Sequence, residues 1–233
     1  MKNWRDMDVE ALDDAYSNAS YIPDAAAYPP RWQAAAEAFR AATPYETVAY
    51  GARSTERLDI FWPEDPPQGL IVFVHGGYWR RFGRSDWSHF AAGGVAAGYA
   101  VAIPGYPLVP SVRIRDITVA VSRAVEVAAR RVAGPIRLTG HSAGGHLCVR
   151  LIMADAAPVC AERIATCVPI SPMADLRPLL RQSLNADWCL DLAEAEAESP
   201  ALGAPLAGPK AVVHVGVAER PSFLWQAKAL GHA

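Results

Sequence analysis

The sequence predicts an α/β fold, with a mostly parallel central sheet and helices on both faces. Three observations carry this. From residue 43 onward, strand-like and helix-like segments alternate. Leu70-Ile-Val-Phe-Val74 is apolar throughout, as expected of a parallel strand covered on both faces. Gly140-His-Ser142-Ala-Gly144 lies between a short apolar strand and an apolar helical stretch. Strand, sharp turn and helix are the context in which a G-x-S-x-G sequence presents a serine hydroxyl at the end of a sheet.

Taken in order, residues 1–42 read as a helical N-terminal segment rich in Ala, Asp and Tyr, broken at Tyr21-Ile-Pro-Asp and Tyr28-Pro-Pro. Residues 43–233 read as the α/β domain. Its strands are expected over 47–50, 58–62, 70–74, 99–103, 136–139, 165–170 and 211–215. Helices are expected over 85–97, 114–132, 143–155 and 222–230, with an irregular helical region within 176–197. Pro63-Glu-Asp-Pro-Pro67 is a surface loop between two strands. There is no internal repeat and no low-complexity tract.

Bulk properties narrow the function classes. The chain has 233 residues, enough for one large buried core, with 52% hydrophobic and 20% charged residues. A net charge of −2 gives no basic field for nucleic acid. No apolar run approaches a membrane span, and the polar start Met1-Lys-Asn-Trp-Arg-Asp lacks a signal core. The four cysteines, Cys148, Cys160, Cys167 and Cys189, form no C-x-x-C pair. They read as reduced, mostly buried thiols of a cytoplasmic protein. Neither a metal nor another cofactor is implied, and the expected partner is a small-molecule substrate.

His75-Gly-Gly-Tyr78-Trp79 follows directly on the apolar strand at 70–74. Cleavage of an ester or amide passes through a tetrahedral oxyanion that needs preorganised N–H donors, and glycines let backbone approach it closely. Paired with the serine turn, this is the lipase/esterase arrangement, with the N–H groups of Gly76, Gly77 and Ala143 as donors. Taken alone, the same turn reads as a tight bend ending a buried strand, with Trp79 as core.

The two motifs together, H-G-G-x-W and G-H-S-A-G, resemble those of the kynurenine formamidase (arylformamidase) family of α/β-hydrolases. The likeness extends to Leu12-Asp-Asp-Ala-Tyr16-Ser-Asn-Ala-Ser20, Asp59-Ile-Phe-Trp-Pro63, the segment from Ser171 to Leu179, and the turn from Glu219 to Gln226. The resemblance implies the α/β-hydrolase fold and hydrolysis of an aryl formamide such as N-formylkynurenine, giving formate and the amine. It implies Ser142 as nucleophile and Glu219 as triad acid, where family members commonly carry aspartate. It also implies that His75 shapes the oxyanion turn and that Tyr78 and Trp79 help wall an aromatic pocket. Asp175 is a rival acid, although its setting equally suits a capped turn.

The base is the component the sequence does not supply. In this fold the order is serine, acid, histidine. A helix, two loops and a strand should separate acid from base, about 20–30 residues. Only 14 residues follow Glu219. The expectation is therefore a fold lacking its last strand and helix, with the edge at 211–215 left open to association between copies. His232 would emerge at the wrong end of the sheet. His141 and His146 read as locally packed, His214 as a core or near-core strand residue, and His89 as surface or pocket rim. Two other readings stand beside the formamidase: a general carboxylesterase on the same scaffold, and a non-catalytic relative.

Overall fold

The computed structural model describes residues 3–231. Seven strands form one sheet: β1 (Tyr45–Ala49), β2 (Arg57–Phe61), β3 (Leu70–Val74), β4 (Ala100–Pro104), β5 (Ile136–His141), β6 (Ile164–Ile170) and β7 (Lys210–Ala211). Their spatial order is β1-β2-β4-β3-β5-β6-β7. β2 runs antiparallel to both its neighbours, and every pairing from β4 to β7 is parallel. Helices are α1 (Val9–Ala15), α2 (Tyr28–Ala42), α3 (Ala91–Ala96), α4 (Ile114–Arg131), α5 (Ala143–Arg150), α6 (Asn185–Trp188), α7 (Leu192–Ala197) and α8 (Pro221–Leu230). None of the described helices is long and apolar enough to cross a membrane.

Strand alternation divides the core between the sheet's two faces. Ile60, Val72 and Ala102 belong to one buried cluster, and their chain neighbours Phe61, Phe73 and Ile103 belong to the other. On the first face, α4 contributes Ile114, Ile117, Val121, Ala124, Val125 and Ala128, a stripe at helical spacing. The second face is covered by a 3₁₀ helix, Arg84–Phe90, that runs into α3. Gly94 allows that contact, because a Cβ there would meet Val101 Cγ2 at 2.6 Å.

One charged residue ties the N-terminal helix to the sheet. Asp59 in β2 is fully buried, and it accepts from Arg40 of α2 at 2.6 Å, Thr47 of β1 at 2.6 Å and Arg84 at 3.1 Å. Removing one partner of a buried pair leaves the remaining charge uncompensated and costs about 3–5 kcal/mol. Arg40 and Arg84 keep some solvent contact, so Asp59→Asn is expected to cost about 3 kcal/mol, the low end of that range. Urea denaturation checks this; a midpoint unchanged from wild type would contradict it.

The structure departs from the expected elements in three places. The helix expected over 85–97 begins as a 3₁₀ turn. The helix after Ser142 ends at Arg150 instead of Asp155. There the chain turns back, so that Met153 bridges Pro205 and Ala154 N–H reaches the Ala204 carbonyl at 3.0 Å. The buried Arg150 pins this turn through Asp155 at 2.6 Å. The strand expected over 211–215 shrinks to two residues plus a single bridge, Ile170 to His214. No described residue pairs with its outer side, and His214 is exposed instead of lying in the core.

Candidate active site

The serine turn is built by close backbone packing. Ser142 has φ 55° and ψ −116°, a strained conformation between β5 and α5. Its own N–H donates to the Ile170 carbonyl at 2.9 Å, which ties the turn to the end of β6. Two flanking glycines are required. A Cβ on Gly140 would lie 2.5 Å from the Gly144 carbonyl oxygen, and one on Gly144 would overlap the Val74 carbonyl oxygen.

The turn after β3 interlocks with it. A Cβ on Gly76 would meet the His141 carbonyl oxygen at 2.7 Å and Ser142 Cβ at 3.3 Å, so this backbone lies against the serine. Gly77, Tyr78 and Trp79 follow with φ of 119°, 53° and 58°. The N–H groups of Gly76, Gly77 and Ala143 donate to no acceptor among the described residues. These three N–H groups therefore belong to two turns that touch at Gly76 and Ser142.

Glu219 lies in the loop between β7 and α8. Its carboxylate accepts from Ser171 Oγ and from Gly216 N–H at 3.1 Å. Ser171 immediately follows Ile170, the residue that holds Ser142 N–H. Glu219 is thus held through Ser171 at the same end of the sheet as Ser142, with no hydrogen bond between the two. Asp175, the rival acid, is buried and engaged locally: it accepts from the Arg177 backbone and guanidinium, and its own backbone is clasped by Gln226. Ser171 carries no catalytic signal in the sequence beyond its place in the Ser-Pro pair after a strand.

The histidines divide sharply. His75 is fully buried; its Nδ1 bonds the Gly76 carbonyl at 2.8 Å and its ring stacks on Tyr106 at 4.2 Å. His146 is also fully buried; its Nε2–H donates to the Glu198 carbonyl at 2.7 Å and its ring stands edge-on to Trp79. His89 stacks on Phe90 at 4.6 Å. His141 lies against Gly76 and keeps exposed surface. Crowding by the elbow still lowers its pKa, while the Glu219 charge pulls the other way. None of these rings hydrogen-bonds Ser142 Oγ, and His232 lies outside the described residues.

The expectation that Trp79 walls a pocket needs correcting, and His75 lines none either. Neither side chain has accessible surface. Trp79 packs between His146 and Trp188 and supports the turn from below. Tyr78 is half-buried, with its hydroxyl donating to the Tyr16 carbonyl at 2.5 Å. Two surface concavities, of about 280 and 260 Å³, are lined by residues such as Trp4, Trp225, Gln33 and Glu37, and neither includes Gly76, Gly77, Ser142 or Ala143. Chemistry, not concavity, marks the site. Among the described residues no cluster of three or more His, Cys, Asp or Glu groups is suited to a metal ion. Cys148 and Cys167 are buried, and burial pushes the Cys167 thiol up to about 12, whereas Cys189 is exposed.

Burial gives the two interior imidazoles a pH signature. Desolvation lowers His75 to about 4 and His146 to about 3, against an ordinary 6.5. Between those values the unfolded chain binds protons that the folded chain refuses. Stability from these groups is therefore complete above pH 6.5 and is lost as pH falls toward 4 and 3. Each imidazole contributes about 1.4 kcal/mol per pH unit across its window. Replacing His146 with Gln keeps a donor for Glu198, and is expected to remove about one proton from the acid-limb slope. Urea midpoints from pH 7 to 4 check this; an unchanged slope would count against it.

Comparison with known proteins identifies the fold. A model described as alpha/beta hydrolase family matches residues 71–230. Curated kynurenine formamidases are similar: that of Danio rerio is 26% identical over 197 residues, covering 79% of this chain and 67% of the relative. That of Salmo salar is 28% identical over 145 residues, covering 59% and 49%. The chain thus spans about half to two thirds of the length of these relatives. Among solved structures, a candidate thioesterase from Silicibacter sp. superposes with TM-score 0.93 at 49% identity, covering 95% of this chain and 86% of the other. Esterase B from Lactobacillus rhamnosis shares the fold at TM-score 0.70 and 20% identity, covering 89% and 77%.

Proposed function

The chain belongs to the alpha/beta hydrolase family, and from that premise we propose a serine hydrolase site of the kynurenine formamidase kind, acting on N-formylkynurenine or a related aryl formamide. The observation that carries the proposal is the contact of the Gly76 backbone with Ser142, with the Gly76, Gly77 and Ala143 N–H groups unengaged.

In this reading Ser142 Oγ attacks the formyl carbon as a base takes its proton. The carbonyl oxygen becomes an oxyanion and takes hydrogen bonds from the three N–H groups. The arylamine leaves with a proton, and water then releases formate from the formyl-serine. Glu219 is the acid that orients the base. The base itself is an imidazole that no hydrogen bond among the described residues supplies, since His75 and His146 are neutral, buried and bonded elsewhere.

The test is a substrate ranking, run with and without added imidazole. N-formylkynurenine, p-nitrophenyl acetate and an acyl thioester are compared, the last because of the Silicibacter relative's designation. The proposal expects the formamide to have the highest kcat/KM. An ester in first place favours a general carboxylesterase, and no turnover of any substrate under either condition favours a non-catalytic role.

A further inference from the structure

The turn after β3 carries positive φ over three residues in a row, an unfavourable conformation at two of them. Gly77, Tyr78 and Trp79 all have positive φ, and for Tyr78 and Trp79 this is disfavoured by their own Cβ atoms. Such backbone persists only where its surroundings enforce it. The Gly77 carbonyl is held locally, by the N–H groups of Arg80 and Arg81 at 3.0 and 3.2 Å. The Trp79 carbonyl is held by Val109 N–H at 3.0 Å. The Tyr78 carbonyl is held by a side chain distant in sequence: Trp188 Nε1 donates to it at 3.0 Å.

Trp188 is itself fixed. It has no accessible surface, stands edge-on to Trp79 at 6.4 Å and lies tilted against Tyr78 at 6.0 Å. Its neighbour Asp187 pairs with Arg80 at 2.5 Å, so α6 grips the turn on both sides of Trp79. The loop after α6 is closed by Asn185, whose side chain bonds the Leu190 N–H and carbonyl at 2.9 and 3.1 Å. This indole bond is not a default of buried tryptophans here, since the N–H groups of Trp79 and Trp87 have no partner among the described residues.

We propose that Trp188 is a positioning residue for the oxyanion turn: its indole N–H locks the Tyr78–Trp79 peptide and so keeps the Gly76 and Gly77 N–H groups aimed at Ser142. The peptide unit is planar, so fixing the Tyr78 carbonyl fixes the Trp79 N–H and restricts the torsions on either side. With that restraint gone, Tyr78 and Trp79 can relax toward negative φ, which turns the preceding peptide and its donors away. The inference rests on the reading of those N–H groups as oxyanion donors.

The test removes the N–H alone. Trp188 is replaced by β-(3-benzothienyl)alanine, which keeps the ring shape with sulfur in place of N–H; Trp188→Phe is a second, genetically simple variant. Two readouts are taken: the ¹⁵N–¹H resonances of Gly76, Gly77 and Tyr78, and the rate at which Ser142 is phosphonylated by a fluorophosphonate with imidazole supplied. The expected result is shifted or doubled resonances confined to the turn, an unchanged melting profile for the isostere, and labelling slowed about 10²-fold. Unmoved resonances together with an unchanged labelling rate overturn the proposal. If the resonances move but wild-type Ser142 takes no label, the positioning role stands and the nucleophile assignment fails.

Discussion

Without added imidazole, the protein is expected to hydrolyse aryl formamide about a millionfold more slowly than a serine enzyme whose imidazole bonds its nucleophile. Serine is a weak nucleophile until a base takes its proton, and no described imidazole bonds Ser142 Oγ. An oxyanion hole and substrate binding alone still leave about 10³–10⁴-fold catalysis over water. Triad members act as a unit, so Ser142→Ala should change this residual rate little, and Glu219→Gln less. Free imidazole should accelerate the wild type and leave Ser142→Ala unaffected. Steady-state assays of the three proteins decide this. A wild-type turnover of about 1–10³ s⁻¹ without imidazole would contradict it, and would mean that an imidazole reaches Ser142 from outside the described residues.

Gly144→Ala is expected to be the most damaging single methyl group in the molecule. The added Cβ would overlap the Val74 carbonyl oxygen and lie 2.5 Å from that of His75, so the obstacle is backbone on β3 and cannot rotate aside. Relief requires α5 and β3 to separate, which also parts Ser142 from Gly76. Overpacking of this kind costs about 1–3 kcal/mol where side chains can adjust, and the rigid setting puts the expectation at or above about 3 kcal/mol. For a chain of this size that lowers the melting temperature by about 6–12 °C. Gly93→Ala in α3 is the control. Nothing lies within 4 Å of its added Cβ, and alanine favours the helix by about 0.5–1 kcal/mol. Calorimetry of both variants reads the contrast; equal melting temperatures would count against the interlock.

Much of this was legible in the sequence, for identifiable reasons. The six strands from β1 to β6 fall where strand-like segments lie between breakers, and the tight turn at Ser142 where small residues flank one serine. The apolar pattern of 211–215 implies a full strand, whereas only Lys210–Ala211 and the Ile170–His214 bridge pair with β6. The apolar pattern after Ser142 runs on past Arg150, where the helix ends and Met153 pairs with Pro205. Tyr78 and Trp79 look equivalent as pocket aromatics in the sequence, yet Trp79 is fully buried between His146 and Trp188 while Tyr78 is half-buried with its hydroxyl on the Tyr16 carbonyl. Trp188 had no signal at all, because its role arises from a contact across 110 residues of chain.

The central claim is that Ser142 is presented to a preformed set of N–H donors. The most direct measurement is mass spectrometry of the chain after prolonged exposure to an aryl fluorophosphonate, with imidazole supplied. The expected result is a single adduct, mapped to the peptide carrying Ser142, accumulating faster with imidazole and missing in Ser142→Ala. An adduct elsewhere, an adduct that survives Ser142→Ala, or none at all would contradict it.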